Sequence, residues 1–254
     1  LTPRGVAAFA RASLGRLFLV QSLVAALFAG ILVWFLAEGW FPIVRAAIHE
    51  MPPEGEIRGG ELSWPGDSPL KLAGNHLLAF GVDLTHSGRL ERAGQIQVEF
   101  GRENLRVSCV LGYRVWPYPG DWRIAFNQKE LEPRWGAWQP ELLVGAVLGS
   151  LLGWLIIWSV LATLYCAPAR LLMFFVNRDL SWGQSWRLAA AAQMPGTMFL
   201  TVALAGHGLG WLGLVQLGVM VALSVVMGWV YILISPGFLP RHVAATPKGN
   251  PFLQ

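Results

Sequence analysis

The chain has 254 residues and a formal net charge of +4, with 54% hydrophobic and only 13% charged residues; its mean hydropathy is +0.49. A soluble domain carries about 25% charged residues, so these figures exclude an ordinary soluble protein and indicate several membrane spans. The basic residues are scattered singly, without the Lys/Arg stripe that a nucleic-acid partner requires.

Residues 1–16 carry Arg4, Arg11 and Arg16 and precede an apolar run, 17–37, whose polar members are Gln21 and Ser22. A cleavable leader shares this basic-then-apolar pattern, but its apolar core is usually about 7–15 residues. The run therefore reads as an uncleaved first span. Trp34 and Trp40 mark its far end, where amphipathic rings favour the headgroup level.

The composition changes over 38–141, which holds fourteen Asp/Glu and eleven Lys/Arg, enough for one small domain. Residues 41–50 extend the first helix until Pro52 and Pro53 stop it, because proline lacks the N–H and clashes with the preceding turn. Strands are predicted at 56–64, 76–85, 95–100, 105–111 and 122–126, separated by Gly/Pro/Asp turns. In 95–100, Ile96, Val98 and Phe100 alternate with Gln95, Gln97 and Glu99; a period of two implies a sheet with one buried face. A short helix over 128–135 leads back towards the bilayer.

Residues 142–169 contain no charge at all, and about 20 residues suffice for a helix to cross. The second span is placed at 142–166, ended by Pro168, with 167–187 as an interfacial loop. Ser181 and Gln184 have capping-box spacing, so a helix starts there. Residues 188–235 are free of Asp, Glu, Lys and Arg, too long for one span, and the glycines at 206, 208 and 210 divide them. This predicts a third span at 188–205, a short outer loop at 206–210, a fourth span at 211–235 and a tail at 236–254. Residues 1–16, 167–187 and 236–254 together hold eight Lys/Arg against one acid, Asp179. Basic short loops stay cytoplasmic, whereas a domain of about 100 residues translocates largely regardless of charge. The expected fold is therefore four transmembrane α-helices with a β-rich α+β extracytoplasmic domain inserted between helices 1 and 2. Both termini are expected in the cytoplasm, and 38–141 outside a bacterial plasma membrane.

Gly145, Gly149 and Gly153 lie at GxxxG spacing on one face of the second span. Without Cβ atoms, helices approach closely and dispersion replaces the hydrophobic drive that lipid removes. That face packs either on a neighbouring span or on a partner, including a second copy. Gln21, Thr163 and Gln193 fall in the same third of their spans and could form one hydrogen-bonded cluster; Gln216 is a further intramembrane polar residue. Pro195 interrupts the helix near Gln193, as in transport sites, but no ionisable residue of the Asp/Glu/Lys/Arg type lies within a span, and ion-coupled transporters usually need one. His76, Asp83 and His86 could meet at a metal only if adjacent strands carried them, since their spacing matches no standard site. His49-Glu50, Asp83 and Ser63 lack a positioned partner nearby in sequence, and no phosphate-cradle or nucleophile-elbow motif is present. No cofactor is expected.

Three stretches, PEGEIRGGELSW (53–64), FGVDLTHSG (80–88) and SWRLAAAAQMP (185–195), resemble a family of uncharacterised bacterial multi-pass membrane proteins. That family includes a membrane protein encoded with maltodextrin-utilisation genes in Gram-positive bacteria. The resemblance implies the same order of span, outer domain and three further spans, and it carries no catalytic residue across. The functional expectation is a non-enzymatic accessory or interaction protein whose outer domain contacts a partner or ligand, with a small transporter or lipid-handling protein as the alternative.

Overall fold

The computed structural model describes residues 2–88, 90, 94–178 and 180–240. The chain divides into a helical unit (Leu1–Ala26, Leu151–Leu200, Val221–Gln254) and a sheet-bearing unit (Leu27–Ser150, Thr201–Met220). Four helical runs are long and apolar enough to cross a membrane: Leu14–His49, Gln128–Phe175, Trp182–Gly208 and Leu214–Phe238. With the sheets described below, the architecture is compatible with a membrane α+β protein.

The first run starts after a short helix, α1 (Pro3–Phe9), that Thr2 caps by accepting the Gly5 N–H at 3.2 Å. It comprises α2 (Leu14–Phe35), a π-helical turn at Leu36–Trp40 and α3 (Phe41–His49). The π turn comes just before Pro42, whose missing N–H disturbs the α-helical ladder; such single turns occur as bulges within α-helices. The expected extension over 41–50 is present.

The predicted strands all have counterparts: β1 (Glu56–Arg58) and β2 (Glu61–Ser63) form a hairpin, followed later by β4 (Leu78–Val82), β5 (Ile96–Phe100), β6 (Asn104–Cys109) and β8 (Arg123–Ala125). Two strands were not predicted, β3 (Leu70–Gly74) and β7 (Gly112–Pro117). A bulge between Lys71 and Ala73 breaks the alternation of β3, and all six residues of β7 are exposed, so neither carries a clean period of two. The sheets run β2-β1-β8 and β3-β4-β5-β6-β7. All pairs are antiparallel except β4 with β5. One core gathers Ile57, Leu62, Leu72, Val82, Tyr118 and Phe126 with Ala47 of the first helical run and Met51 just beyond it. Burial raises the Tyr118 phenol well above its usual range, and its OH donates to the Gly101 carbonyl at 3.2 Å.

The expectation of a single buried face on 95–100 needs correction. Gln97 and Glu99 are only 7% and 5% exposed, while Ile96, Val98 and Phe100 are half-buried. The polar face is covered from above: Leu90 lies over Gly81, where an added Cβ would sit 2.9 Å from its Cδ1.

The second run is one helix, α4 (Gln128–Phe175), which joins the expected short helix to the span and continues through Pro168. The proline frees only the Leu164 carbonyl, and the turns beyond it bury Ala169 and Met173 in the core. The helix ends instead where Asn177 takes φ +56°. There Arg178 N–H reaches the Met173 carbonyl (2.8 Å) and Asn177 N–H that of Phe174 (3.1 Å), a Schellman closure. The expected interfacial segment 170–178 thus supplies the last turns of α4.

Ser181 and Gln184 form the capping box: each side chain accepts the other's backbone N–H, at 3.3 and 2.8 Å. The third run is broken in two, α5 (Trp182–Ala192) and α6 (Met194–Gly208), so it begins and ends outside the expected 188–205. It closes on Gly210 at φ +79°. The fourth run is α7 (Leu214–Ile234) with a 3-10 turn, Ser235–Phe238. Residues 241–254, most of the expected tail, lie outside the described residues. The core of the helical unit surrounds α5, whose residues Leu188 to Ala192 are fully buried with Val6, Leu17, Trp158 and Met194. Alanines allow this close approach, the packing mode that replaces hydrophobic drive among apolar helices.

Candidate functional site

The polar site grows from the turn that follows β4. Asp83 is fully buried; one carboxylate oxygen accepts the Thr85 N–H and hydroxyl, both at 3.2 Å, and the other accepts the Ser87 hydroxyl at 2.8 Å. Burial acts to raise its pKa, but these hydrogen bonds prevail and hold the carboxyl below its usual range. Such an Asx turn lets a non-glycine residue take positive φ, and His86 does so at +49°. Its ring is thereby aimed across β5 and β6. Nδ1 lies 2.5 Å from Glu99 Oε1 and Nε2 lies 2.6 Å from Asn104 Oδ1. The carboxylate requires Nδ1 to donate, so the orientation of the Asn104 amide sets the role of Nε2. Gly101 is required here, since a Cβ on it would lie 2.2 Å from Nε2.

Strand register extends the site. Glu99 pairs with Arg106 and Gln97 with Ser108, and Ser108 pairs with Tyr113 on β7. Their side chains, with Gly88 and Leu90, line a cleft of about 250 Å³. The Arg106 guanidinium stacks over the Tyr113 ring at 4.5 Å, yet among the described residues its buried Nε has no hydrogen-bond partner. The cleft thus offers a guanidinium, a phenol and a hydroxyl beside a His–carboxylate pair. That chemistry suits recognition of a polar ligand through several hydrogen bonds. Among the described residues no histidine or carboxylate hydrogen-bonds to Ser108, as an activated hydroxyl would need.

His76, Asp83 and His86 do not converge on one point. His76 is exposed, and its Nε2 would lie 3.3 Å from a Cβ on Gly210; Asp83 and His86 share one turn but bond to different partners. Among the described residues no three His, Cys, Asp or Glu side chains are grouped to hold a metal. His49 instead pairs with Glu132 at 3.3 Å.

The polar residues of the spans also separate. Gln21 donates to the Ala190 carbonyl at 3.4 Å. Thr163 donates to the Ser159 carbonyl (2.8 Å) and accepts from Trp186 Nε1 (3.1 Å) on an exposed face. Gln193 turns its Oε1 towards Gly228, where an added Cβ would meet it at 2.5 Å, and its Nε2 is buried without a partner. Among these three, the expected single cluster does not form. Gln216 acts as a helix cap: its Oε1 accepts the Gly213 N–H at the start of α7. Nothing lies within 4 Å of a Cβ built on Gly145, Gly149 or Gly153, so that face is not packed on a neighbouring span.

Glu99, Asn104, Arg106 and Tyr113 escaped the sequence reading. The available signal was the polar alternation on two adjacent predicted strands, with an acid on one and a base on the other. Comparison with known proteins finds no matching family model, no similar curated protein and no similar solved structure.

Proposed function

We propose that this chain is a multi-pass integral protein of the bacterial plasma membrane, with both termini cytoplasmic and 38–141 periplasmic or extracellular. Its role is non-enzymatic: the outer domain binds a polar ligand or partner in the Glu99–Arg106–Tyr113 cleft. The observation that carries this reading is the buried, unpartnered Nε of Arg106 at the cleft beside the Glu99–His86 pair. The orientation rests on charge. Arg4, Arg11, Arg16, Arg170, Arg178 and Arg187 belong to the helical unit, whereas Trp34, Trp40, Trp135, Trp138 and Trp211 belong to the sheet-bearing unit; basic loops stay inside and tryptophans sit at headgroup level. Kinship with the maltodextrin-associated family is part of the same proposal, supported by the three stretches quoted above. So is a second copy docked on the open Gly145–Gly149–Gly153 face, where small residues permit close approach.

Crosslinking in native membranes, followed by identification of what copurifies, tests the binding role. Arg106→Met is expected to lose the partner while leaving the chain folded; retention of the same partner set overturns the assignment of the cleft. Threading is tested in a chain carrying Cys109→Ser and Cys166→Ser. An impermeant thiol reagent applied to spheroplasts is expected to label Asp121→Cys and spare Gly183→Cys; the reverse pattern inverts the topology.

A transport or lipid-handling reading draws on the helix break at Gln193 and its unpartnered amide. Gln193→Leu discriminates: normal expression with unchanged function removes a pathway through that break.

A further inference from the structure

The sheet-bearing unit contains a second concave region, built from apolar rather than polar groups. A cavity of about 420 Å³ is enclosed by Ile48 and Met51 at the end of the first helical run, Phe100 and Phe126 from the sheets, and Leu131 and Trp135 from α4. Its size falls in the range of about 300–1,000 Å³ typical of ligand sites. Arg134 is the single charged residue lining it.

This cavity is not isolated. A cleft of about 300 Å³ shares Ile48 and Trp135 with it and adds Arg45, His49 and Glu132. A third, of about 540 Å³, shares Arg45 and His49 with the second and ends at Ala37 and Leu143. Ala37 and Leu143 belong to two of the apolar runs, Leu14–His49 and Gln128–Phe175. A path therefore leads from the apolar flanks of two helices, past two guanidiniums, into an apolar chamber. Leu143 to Leu131 is twelve residues of α4, about 18 Å at 1.5 Å per residue. One leaflet of a hydrocarbon core is about 15 Å deep, so the path is as long as an acyl chain.

The charges along it suit a phosphodiester. Arg45 spends one Nη2 hydrogen bond on Gln139 Oε1, at 3.1 Å, and its remaining N–H groups are free to form the fork that phosphate favours. His49 lies beside it and is engaged with Glu132; Arg134 faces Glu130 at 3.4 Å on the surface, a contact that solvent weakens.

We propose that this path holds a membrane phospholipid, with one acyl chain in the Ile48–Phe126–Trp135 cavity and its phosphate at Arg45. The site is separate from the polar cleft and depends only on the apolar helices lying in a bilayer. Continuity with those helices favours a bilayer lipid over a soluble apolar ligand, which would need no opening at Leu143.

The test uses the full chain reconstituted in vesicles of phosphatidylglycerol, a fraction of it carrying a photoactivatable group at the end of one acyl chain. Crosslinked peptides are identified by mass spectrometry, with labelling of the exposed face of α7 as the internal standard for bulk lipid. Label is expected on the peptides containing Met51 and Phe126. Ala47→Trp, which fills the cavity, is expected to lower that label at least fivefold relative to α7. Arg45→Gln changes an exposed residue without touching the core, and is expected to lower it about threefold. Label confined to α7 and the lipid-facing side of α4 overturns the proposal. So does label at Met51 that neither variant changes, complete competition by added palmitate (a free fatty acid as occupant), or crosslinking of the cavity to a protein instead.

Discussion

Polar side chains meet opposite fates in the two units. In the helical unit the buried ones, Gln21, Ser185, Gln193, Thr197, Ser224 and Ser235, are all uncharged, and among the described residues they answer to backbone carbonyls, to Trp158 or to nothing. In the sheet-bearing unit Asp83, His86, Glu99 and Arg106 are ionisable: turn hydroxyls hold Asp83, His86 and Glu99 hold each other, and Arg106 stacks on the Tyr113 ring. The difference follows from what lies outside each unit. Among apolar helices an unpaired charge costs several kcal/mol and no water can rescue it, whereas an orphan amide costs about 1–3 kcal/mol. Beside a water-filled cleft, a buried carboxylate needs only one good partner. The helical unit uses polarity sparingly for packing; the sheet-bearing unit concentrates it around one cleft.

Four measurements break or sharpen this contrast. The largest effect is expected at the closest backbone approach in the helical unit. A Cβ on Gly196 would lie 2.2 Å from the Ser224 carbonyl oxygen, so Gly196→Val should destabilise the chain by about 3 kcal/mol or more through overpacking. Thermal unfolding in detergent reads this, and a variant as stable as the parent would mean α6 and α7 do not touch there. Next comes the Glu99–His86 pair. Glu99→Ala leaves a buried ring without its acceptor and should cost about 2–3 kcal/mol, below the range for fully buried pairs because the His86 side chain is 22% exposed. The double variant Glu99→Leu/His86→Leu should recover part of that loss. Additive single and double costs would show that the pair is uncoupled.

Asp83 predicts the pH response. Its folded carboxyl titrates below the unfolded value of 3.8, so it adds stability above that value, and the contribution is lost as pH falls through the lower folded value. Asp83→Asn should therefore flatten the acid limb of the unfolding curve, and an unchanged limb would remove the turn from that role. The smallest effect is expected at Gln193. Replacing an amide whose Nε2 has no partner with leucine should shift stability by no more than about 1 kcal/mol, in either direction. A loss of several kcal/mol would reveal an unseen partner.

Much of this chain was legible from short-range chemistry. Ser181 and Gln184 announced the start of α5 and Pro195 a break near Gln193, whereas 56–64, read as one strand, is the β1–β2 hairpin turning at Gly59-Gly60. Pro168 misled because a proline's local cost was weighed without the burial of Ala169 and Met173 that the continued helix gains. Asn177, the αL residue that does end α4, carries the same signal as a glycine but less strongly. The polar cleft was missed for a different reason. Gln97 and Glu99 look like a solvent face along one strand, and only the tertiary contacts of Leu90 over Gly81 and of His86 on Glu99 make them a buried one.

What the sequence determined by itself is the set of properties that depend on neighbours within a few turns: four bilayer-length apolar runs, the cap of α5, and the places of most strands. The tertiary structure decided which surfaces those elements hide. The third run is the least apolar of the four, with a hydropathy of 1.4 against 2.1–2.4, yet its most apolar stretch is 78% buried while that of α4 is 6% buried. Hydropathy measures transfer from water to oil and is nearly blind to whether the oil is lipid or another helix. Burial depends on segments more than a hundred residues distant, as with Gln21 and Ala190, and so emerges only once the chain has folded.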